Sequence, residues 1–452
     1  MAFLFSAGLL AALLRLDGSD QTKAIPGLPT QARYDIQGEI TVIAQGVPSF
    51  RSRHSGPNSF PSGGQLDFTE TGTVYLGARP LPNLEVYANP EFAWGNAPGA
   101  GSGLAGYSNG DLIGQPVSTG TPYFARAFVR WRIPVRQGKD KAVGREDVGR
   151  APNIIAGPVP QHRLIVTVGK FAVTDIFDVN GYANNARNQF LNNAFVNGLA
   201  YDYAEDSRGY DFGASLVLNN PNYSVRFGTF AMPTTPGGDQ LSYSSSGGHS
   251  EQLEVDLNPQ FLKSPKPPLT VRLLGYRNVG NMGRYSDALG SSAGLPPSLA
   301  GVRSAGTART GFGVNLEQAF ADGGSTGFFA RLGCADGAVE TAGYAEADDA
   351  FSWGCQIGGV HWKQKADSAG FAAGCSGISS SHQKYLELGG QGFNLGDGAL
   401  NYGRESTVEM YYLHQATKNV QLTGDVQFIA NPGYNRDRGP VSVFSVRARY
   451  VF

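Results

Sequence analysis

Val420-Gln-Leu-Thr-Gly-Asp-Val-Gln-Phe428 sets Val420, Leu422, Val426 and Phe428 on one face and Gln421, Thr423, Asp425 and Gln427 on the other. Side chains of a strand point alternately to its two sides, so this stretch reads as a strand with one apolar and one polar face. The same period of two recurs along the chain. Tyr34, Ile36, Ile40 and Val42 oppose Asp35, Gln37, Glu39 and Thr41, and Leu84 and Val86 oppose Glu85, Tyr87, Asn89 and Glu91. Phe212, Ala214 and Leu216 oppose Asp211 and Ser215, and Phe312, Val314 and Leu316 oppose Asn315 and Glu317.

Marking every such run predicts 16 strands, at 33–45, 66–78, 84–93, 122–132, 163–171, 208–218, 223–232, 251–257, 269–278, 308–319, 326–335, 351–362, 368–377, 404–415, 420–429 and 440–452. Connections after odd-numbered strands are long, and those after even-numbered strands are mostly tight, as at 79–83, 219–222 and 416–419; 133–162 breaks the rule. Long loops therefore leave one end of an up-and-down antiparallel sheet and tight turns the other. A barrel of this many strands is too wide for side chains to fill, so its interior must hold water and its apolar face must look outward. That inversion requires a membrane, and the expected fold is a 16-stranded antiparallel up-and-down transmembrane β-barrel with long extracellular loops and short periplasmic turns.

The last strand supports this reading. Phe444, Val446, Ala448, Tyr450 and Phe452 share one face, and Ser445, Arg447 and Arg449 the other. A final strand of this pattern ending on Phe resembles the signal by which Gram-negative outer-membrane barrels engage their assembly machinery. Composition agrees. Gly 62, Tyr 20 and Phe 26 against Met 4 favour strands and turns over helices. Apolar residues make up 41%, mean hydropathy is −0.22, and no apolar run of helical-span length follows residue 14. A polytopic helical membrane protein is excluded. Lys+Arg 36 against Asp+Glu 37 leaves no basic excess for nucleic acid.

Cys334, Cys355 and Cys375 all fall on apolar strand faces and read as lipid-facing side chains rather than metal ligands. Ala2 to Leu14 is an apolar run too short to span a membrane but long enough for the core of an export signal. Residues 1–32 are therefore expected to be a leader, and 33–452 the barrel domain.

The segments Thr41–Phe50, Gly56–Phe60, Thr73–Arg79 and Glu85-Val-Tyr resemble the carbohydrate-selective porins of the OprB type. So do Thr167–Phe171 with Thr174–Asp178, Tyr402–Glu405, and the long stretch Phe428–Val443. The resemblance runs from about residue 34 to 452. It implies a 16-strand outer-membrane porin that passes sugars by diffusion through a weakly binding pore, without a cofactor.

Inward positions carry both signs of charge, with Glu85, Glu91 and Glu254 against Arg126, Arg130, Arg132, Arg226 and Arg272. An ion filter concentrates one sign in a ring, whereas a mixed lining offers hydrogen-bond partners to neutral hydroxyls. The excess of arginine over lysine fits this, because a guanidinium presents fixed donors and stacks on rings. Tyr123–Arg132 places Arg126, Arg130 and Arg132 with Phe124 and Phe128 on one face, a candidate sugar track. The longest connection, 172–207, is expected to fold inward as the constriction, with Asp175, Asp178 and Arg187 facing Arg126 and Arg130 across a polar slot. Asp175 and Asp178 as a glycosidase pair is the weaker alternative, because two carboxylates at such a separation are common by chance. No Gly-x-Ser-x-Gly elbow, His-Glu-x-x-His helix or phosphate loop occurs, so catalysis has little support. The rival readings are a polysaccharide-export or nonselective pore, and a plugged structural or adhesive barrel.

Overall fold

The computed structural model describes residues 33–112, 120–135, 145–243, 248–258 and 269–452. The expected leader, 1–32, lies outside the described residues. Among these, sixteen strands form the barrel: β1 (Tyr34–Val47), β2 (Gln65–Leu81), β3 (Leu84–Gly95), β4 (Tyr123–Pro134), β5 (Arg163–Phe171), β6 (Asp211–Asn220), β7 (Tyr223–Pro233), β8 (His249–Leu257), β9 (Thr270–Met282), β10 (Ser304–Ala321), β11 (Thr326–Ala335), β12 (Asp349–Gly358), β13 (Ser368–Gly377), β14 (Glu405–Gln415), β15 (Val420–Ala430) and β16 (Val441–Val451). Each pairs antiparallel with its neighbours in sequence, and β1 pairs with β16 from Glu39↔Val451 to Gly46↔Phe444, which closes the cylinder. Closure leaves no unpaired strand edge for the bilayer to face.

Sixteen strands at the expected places put the long connections at one end and the tight ones, such as 82–83 and 221–222, at the other. Outward positions are apolar and exposed in the isolated chain, among them Val42, Val86, Leu216, Phe227, Leu332, Trp353, Phe428 and Val446. The cysteines share this face, since Cys334, Cys355 and Cys375 lie directly opposite Phe312, Phe328 and Phe351. At the seam the ring of Phe452 lies over Gly38, where a Cβ would overlap it, and the two backbones exchange hydrogen bonds of 2.9 and 3.0 Å. Only glycine leaves room there for the terminal ring.

One face assignment fails. Phe124 was expected inward, yet it is 58% exposed on the outer face. Pro90 has no N–H for the ladder, and the register jumps at this point from Asn89↔Arg126 to Pro90↔Phe124. The extra residue, Ala125, turns Tyr123 inward and Phe124 out. A water-filled lumen is also only part of the picture, because loops fill much of it on an aromatic core. Phe190 packs on Phe329 at 5.7 Å and on Tyr411 at 5.0 Å, and Phe177 packs on Phe230 at 6.1 Å. Each ring so buried contributes roughly 1.5–3 kcal/mol.

Candidate pore and its lining

The connection 172–210 lies inside the barrel, and the wall holds it by its backbone. Glu254 accepts the Asp178 N–H at 2.8 Å and Glu317 the Gly181 N–H at 2.8 Å. Glu409 accepts the N–H groups of Leu191 and Asn192. Arginines take the carbonyls, with Arg331 donating to Ala183 at 2.7 Å and to Phe195 at 2.8 Å, and Arg447 donating to Gln189 at 3.0 Å. A loop has backbone donors and acceptors that a sheet would have paired internally. Buried in a barrel, it needs wall side chains of both signs to satisfy them. The mixed lining read from sequence thus serves in large part to seat this loop.

The arrangement redistributes the expected site residues. Arg226 donates to Glu254 at 2.9 Å and to the Ile176 carbonyl, and Arg272 meets Glu317 at 3.1 Å. Both secure the loop instead of lining open space. Asp178 does not face Arg126 and Arg130; it accepts from Gly198 N–H at 2.6 Å, Asn315 at 2.6 Å and Arg331 at 3.1 Å on the far side of the bore. Glu85 is fully buried among Arg79 at 2.7 Å, Arg132 and the Tyr87 hydroxyl at 2.8 Å. Arg130 donates to the Asn153 carbonyl at 2.8 Å, its guanidinium over the rings of Tyr87 and Phe128.

Open space remains along β1–β4 as an eccentric chamber of about 550 Å³. Arg126 and Asp175 meet across it in a bidentate pair of 2.6 and 2.7 Å. Opposite stands Arg187, which reaches Asp111 at 2.6 Å, Glu39 at 2.8 Å, Glu91 at 3.1 Å and the Thr73 hydroxyl at 2.7 Å. Glu91 also accepts the hydroxyls of Tyr123 at 2.6 Å and Tyr210 at 2.8 Å. The Arg126 guanidinium lies 5.0 Å from the Tyr210 ring centre, and that of Arg208 4.0 Å from Tyr123. Rings and planar charges set side by side can stack on the face of a pyranose while offering donors and acceptors to its edge. Nearer the outer mouth, burial together with Asp206, Asp202 and Asp211 holds the Glu205 carboxyl well above the usual range.

Of the expected residues, Arg126, Asp175, Arg187 and Glu91 come together here; Glu85, Arg130, Arg132, Asp178, Arg226 and Arg272 do not line the chamber. Alternation put Glu39 and Arg449 on the lumen face, but only the structure brings them to the chamber, where they pair at their side chains. Tyr210 and Arg208 lie inward in the loop before β6, which begins at Asp211 and not at 208 as the alternation predicts; carried back from Phe212, that alternation would have turned both residues outward.

A closed barrel with an apolar exterior and a polar chamber touched by connections from both ends defines an outer-membrane diffusion channel. The family model of the carbohydrate-selective porins, OprB family, matches residues 151–452. No curated protein matches the chain. The solved structure of Pseudomonas putida OprB at high pH superposes with a TM-score of 0.67 at 15% identity, covering 93% of this chain and 94% of that one. Its low-pH structure gives 0.49 at 12% identity over 93% of each, and OmpT of Vibrio cholerae 0.47 at 10% over 96% and 99%. The chain belongs to the OprB family of carbohydrate-selective porins and is a bacterial outer-membrane channel for the diffusion of sugars.

Proposed function

We propose that sugars cross through the eccentric chamber between β1–β4 and the inward loop 172–210, passing between the Arg126–Asp175 pair and the Glu91–Arg187 cluster. The observation that carries this reading is the reach of the chamber. Arg208 and Asp239 border it from the long-loop end, and Pro152 and Asn153 from the connection at the tight-turn end. At its centre Arg126 is paired with Asp175, Arg187 with Asp111, Glu39 and Glu91, and Arg449 with Glu39, so a neutral solute exchanges hydrogen bonds there with groups held in place. The solute leaves chemically unchanged. The loop 172–210 is the main constriction, 33–452 is the barrel domain behind a leader at 1–32, and the strand ending at Phe452 addresses the chain to the barrel-assembly machinery.

Planar-bilayer recording tests this. Arg126→Ala should weaken the reduction of single-channel current by added neutral sugar, and shortening 180–200 should raise conductance and abolish saturation. Unaltered sugar block in Arg126→Ala, with unaltered conductance in the shortened loop, refutes the assignment.

A further inference from the structure

The connection between β4 and β5 stands at the tight-turn end, where its counterparts 82–83 and 221–222 are two residues long, yet it runs from 135 to 162. It forms a hairpin, Arg145–Val148 paired with Gly157–Pro160, whose closing segment turns up into the bore. Ala151 and Ile154 bridge each other, and Asn153 at the tip has a positive φ of 58°. Every second carbonyl of this segment is taken by a wall side chain: Ala151 by Gln37 at 2.9 Å, Asn153 by Arg130 at 2.8 Å, and Ile155 by Arg79 at 3.0 Å. Arg150 closes the run on Asp35 at 2.5 Å and on the Ile36 carbonyl at 2.6 Å. The Ile155 side chain is fully buried beside Tyr87, whose hydroxyl accepts the Ile155 N–H at 3.3 Å.

Such anchoring on β1–β4 distinguishes a fixed element from a swinging one. A lid that opens needs a low-stability segment with few buried contacts and solvent-exposed hydrogen bonds, and this one has an apolar anchor and wall side-chain donors, two of them arginines, on alternate carbonyls. Its tip, Pro152 and Asn153, borders the same chamber as Arg126 and Asp175. The Asn153 Oδ1 is shielded and without a hydrogen-bond partner among the described residues.

We infer that the channel narrows twice, and that Pro152 and Asn153 form a fixed inner filter setting which neutral polyols leave the chamber toward the periplasm. This explains why Arg130, on the chamber side by sequence, is turned over to the Asn153 carbonyl: it holds the filter in place. The inference rests on the chamber being the passage, and the test separates the two.

Asn153→Cys and, separately, Pro152→Cys are made in the full chain with Cys334, Cys355 and Cys375 each changed to Ala. Channels in planar bilayers are then exposed to a bulky cationic methanethiosulfonate added from one side at a time. The filter predicts at least a twofold fall in single-channel conductance on labelling, with faster reaction from the tight-turn side, because reagent from the other side must first pass 172–210. Pro152→Cys covers the case in which cysteine is not tolerated at the left-handed Asn153. Fully labelled Asn153→Cys and Pro152→Cys channels with unchanged conductance, or faster labelling from the long-loop side, overturn the inner filter. If sugar block also survives Arg126→Ala, the chamber itself is not the passage; if it is lost there, only the inner filter falls.

Discussion

Replacing Arg187 by alanine removes one side chain from three acids at once. Its side chain is 11% exposed and meets Asp111, Glu39 and Glu91, each 4% exposed at the side chain. Breaking a buried ion pair from one side costs about 3–5 kcal/mol. Two features pull the value here to the lower end, about 3 kcal/mol: chamber water can rehydrate the acids, and Glu39 keeps Arg449 while Glu91 keeps Tyr123 and Tyr210. At about 1.4 kcal/mol per tenfold, the seated-to-open ratio of the loop tip falls by roughly two powers of ten. The rest of the loop stays, because Glu409, Arg331 and Arg447 hold it elsewhere. Single-channel conductance should therefore rise, the current noise should grow as the tip moves, and permeability should shift toward cations as the three carboxylates lose their counter-charge. Arg187→Lys, which keeps the charge but cannot fork to three acids, should fall between. Conductance, noise and ion preference all equal to those of the unmodified channel, in protein with a normal heat-modifiable gel shift, would refute the seating of the tip by Arg187.

Three further outcomes follow from the same contacts. Deleting Phe452, or placing leucine at Gly38 where the terminal ring lies, should lower the yield of folded barrel in the outer membrane, read by gel shift; normal yield of both removes the seam argument. Cys334, Cys355 and Cys375 should resist water-soluble maleimides and react with membrane-permeant ones, and fast labelling by a charged reagent would reverse the face assignment. Burial raises the Glu346 carboxyl from the ordinary 4.5 to about 7, against the pull of His382 and of the Asn394 and Leu395 N–H groups. Between those two values the docked loop keeps a proton that the undocked one has released, so docking of 336–348 on 378–404 weakens as pH rises from about 4.5 to 7 and then levels off, by up to about 3 kcal/mol. Protection of the 392–396 amides, taken relative to the intrinsic exchange rate at each pH, should fall over that range; Glu346→Gln should flatten the dependence, and protection that does not change with pH in the unmodified chain would refute it.

The barrel was legible because a strand's side-chain period is fixed by its backbone: Val420 to Phe428 and Phe444 to Phe452 declare their outer faces whatever surrounds them. Phe124 was not, since a single bulge opposite Pro90 reverses parity and leaves no mark on the pattern. The site was partly legible for a related reason. Alternation told which side of the wall Arg226, Arg272 and Glu85 occupy, but not that buried backbone of 172–210 and the ion pairs beneath it would claim them. Arg126, Asp175 and Arg187 border one chamber, whereas Asp178, only three residues from Asp175, points to Arg331 because the chain turns at its positive φ of 55°. The length of 133–162 was visible as an exception; its entry into the bore depends on Ile155 finding Tyr87, which no local pattern encodes.

The most direct test of the central claim is liposome swelling with the purified channel and a graded series of neutral saccharides. Monosaccharides should enter rapidly, entry should fall steeply with size as solutes outgrow the passage between the Arg126–Asp175 pair and the Glu91–Arg187 cluster, and sugar acids should enter more slowly than neutral sugars of equal size. Liposomes that do not swell in monosaccharides, or that admit long oligosaccharides as fast as glucose, would contradict it.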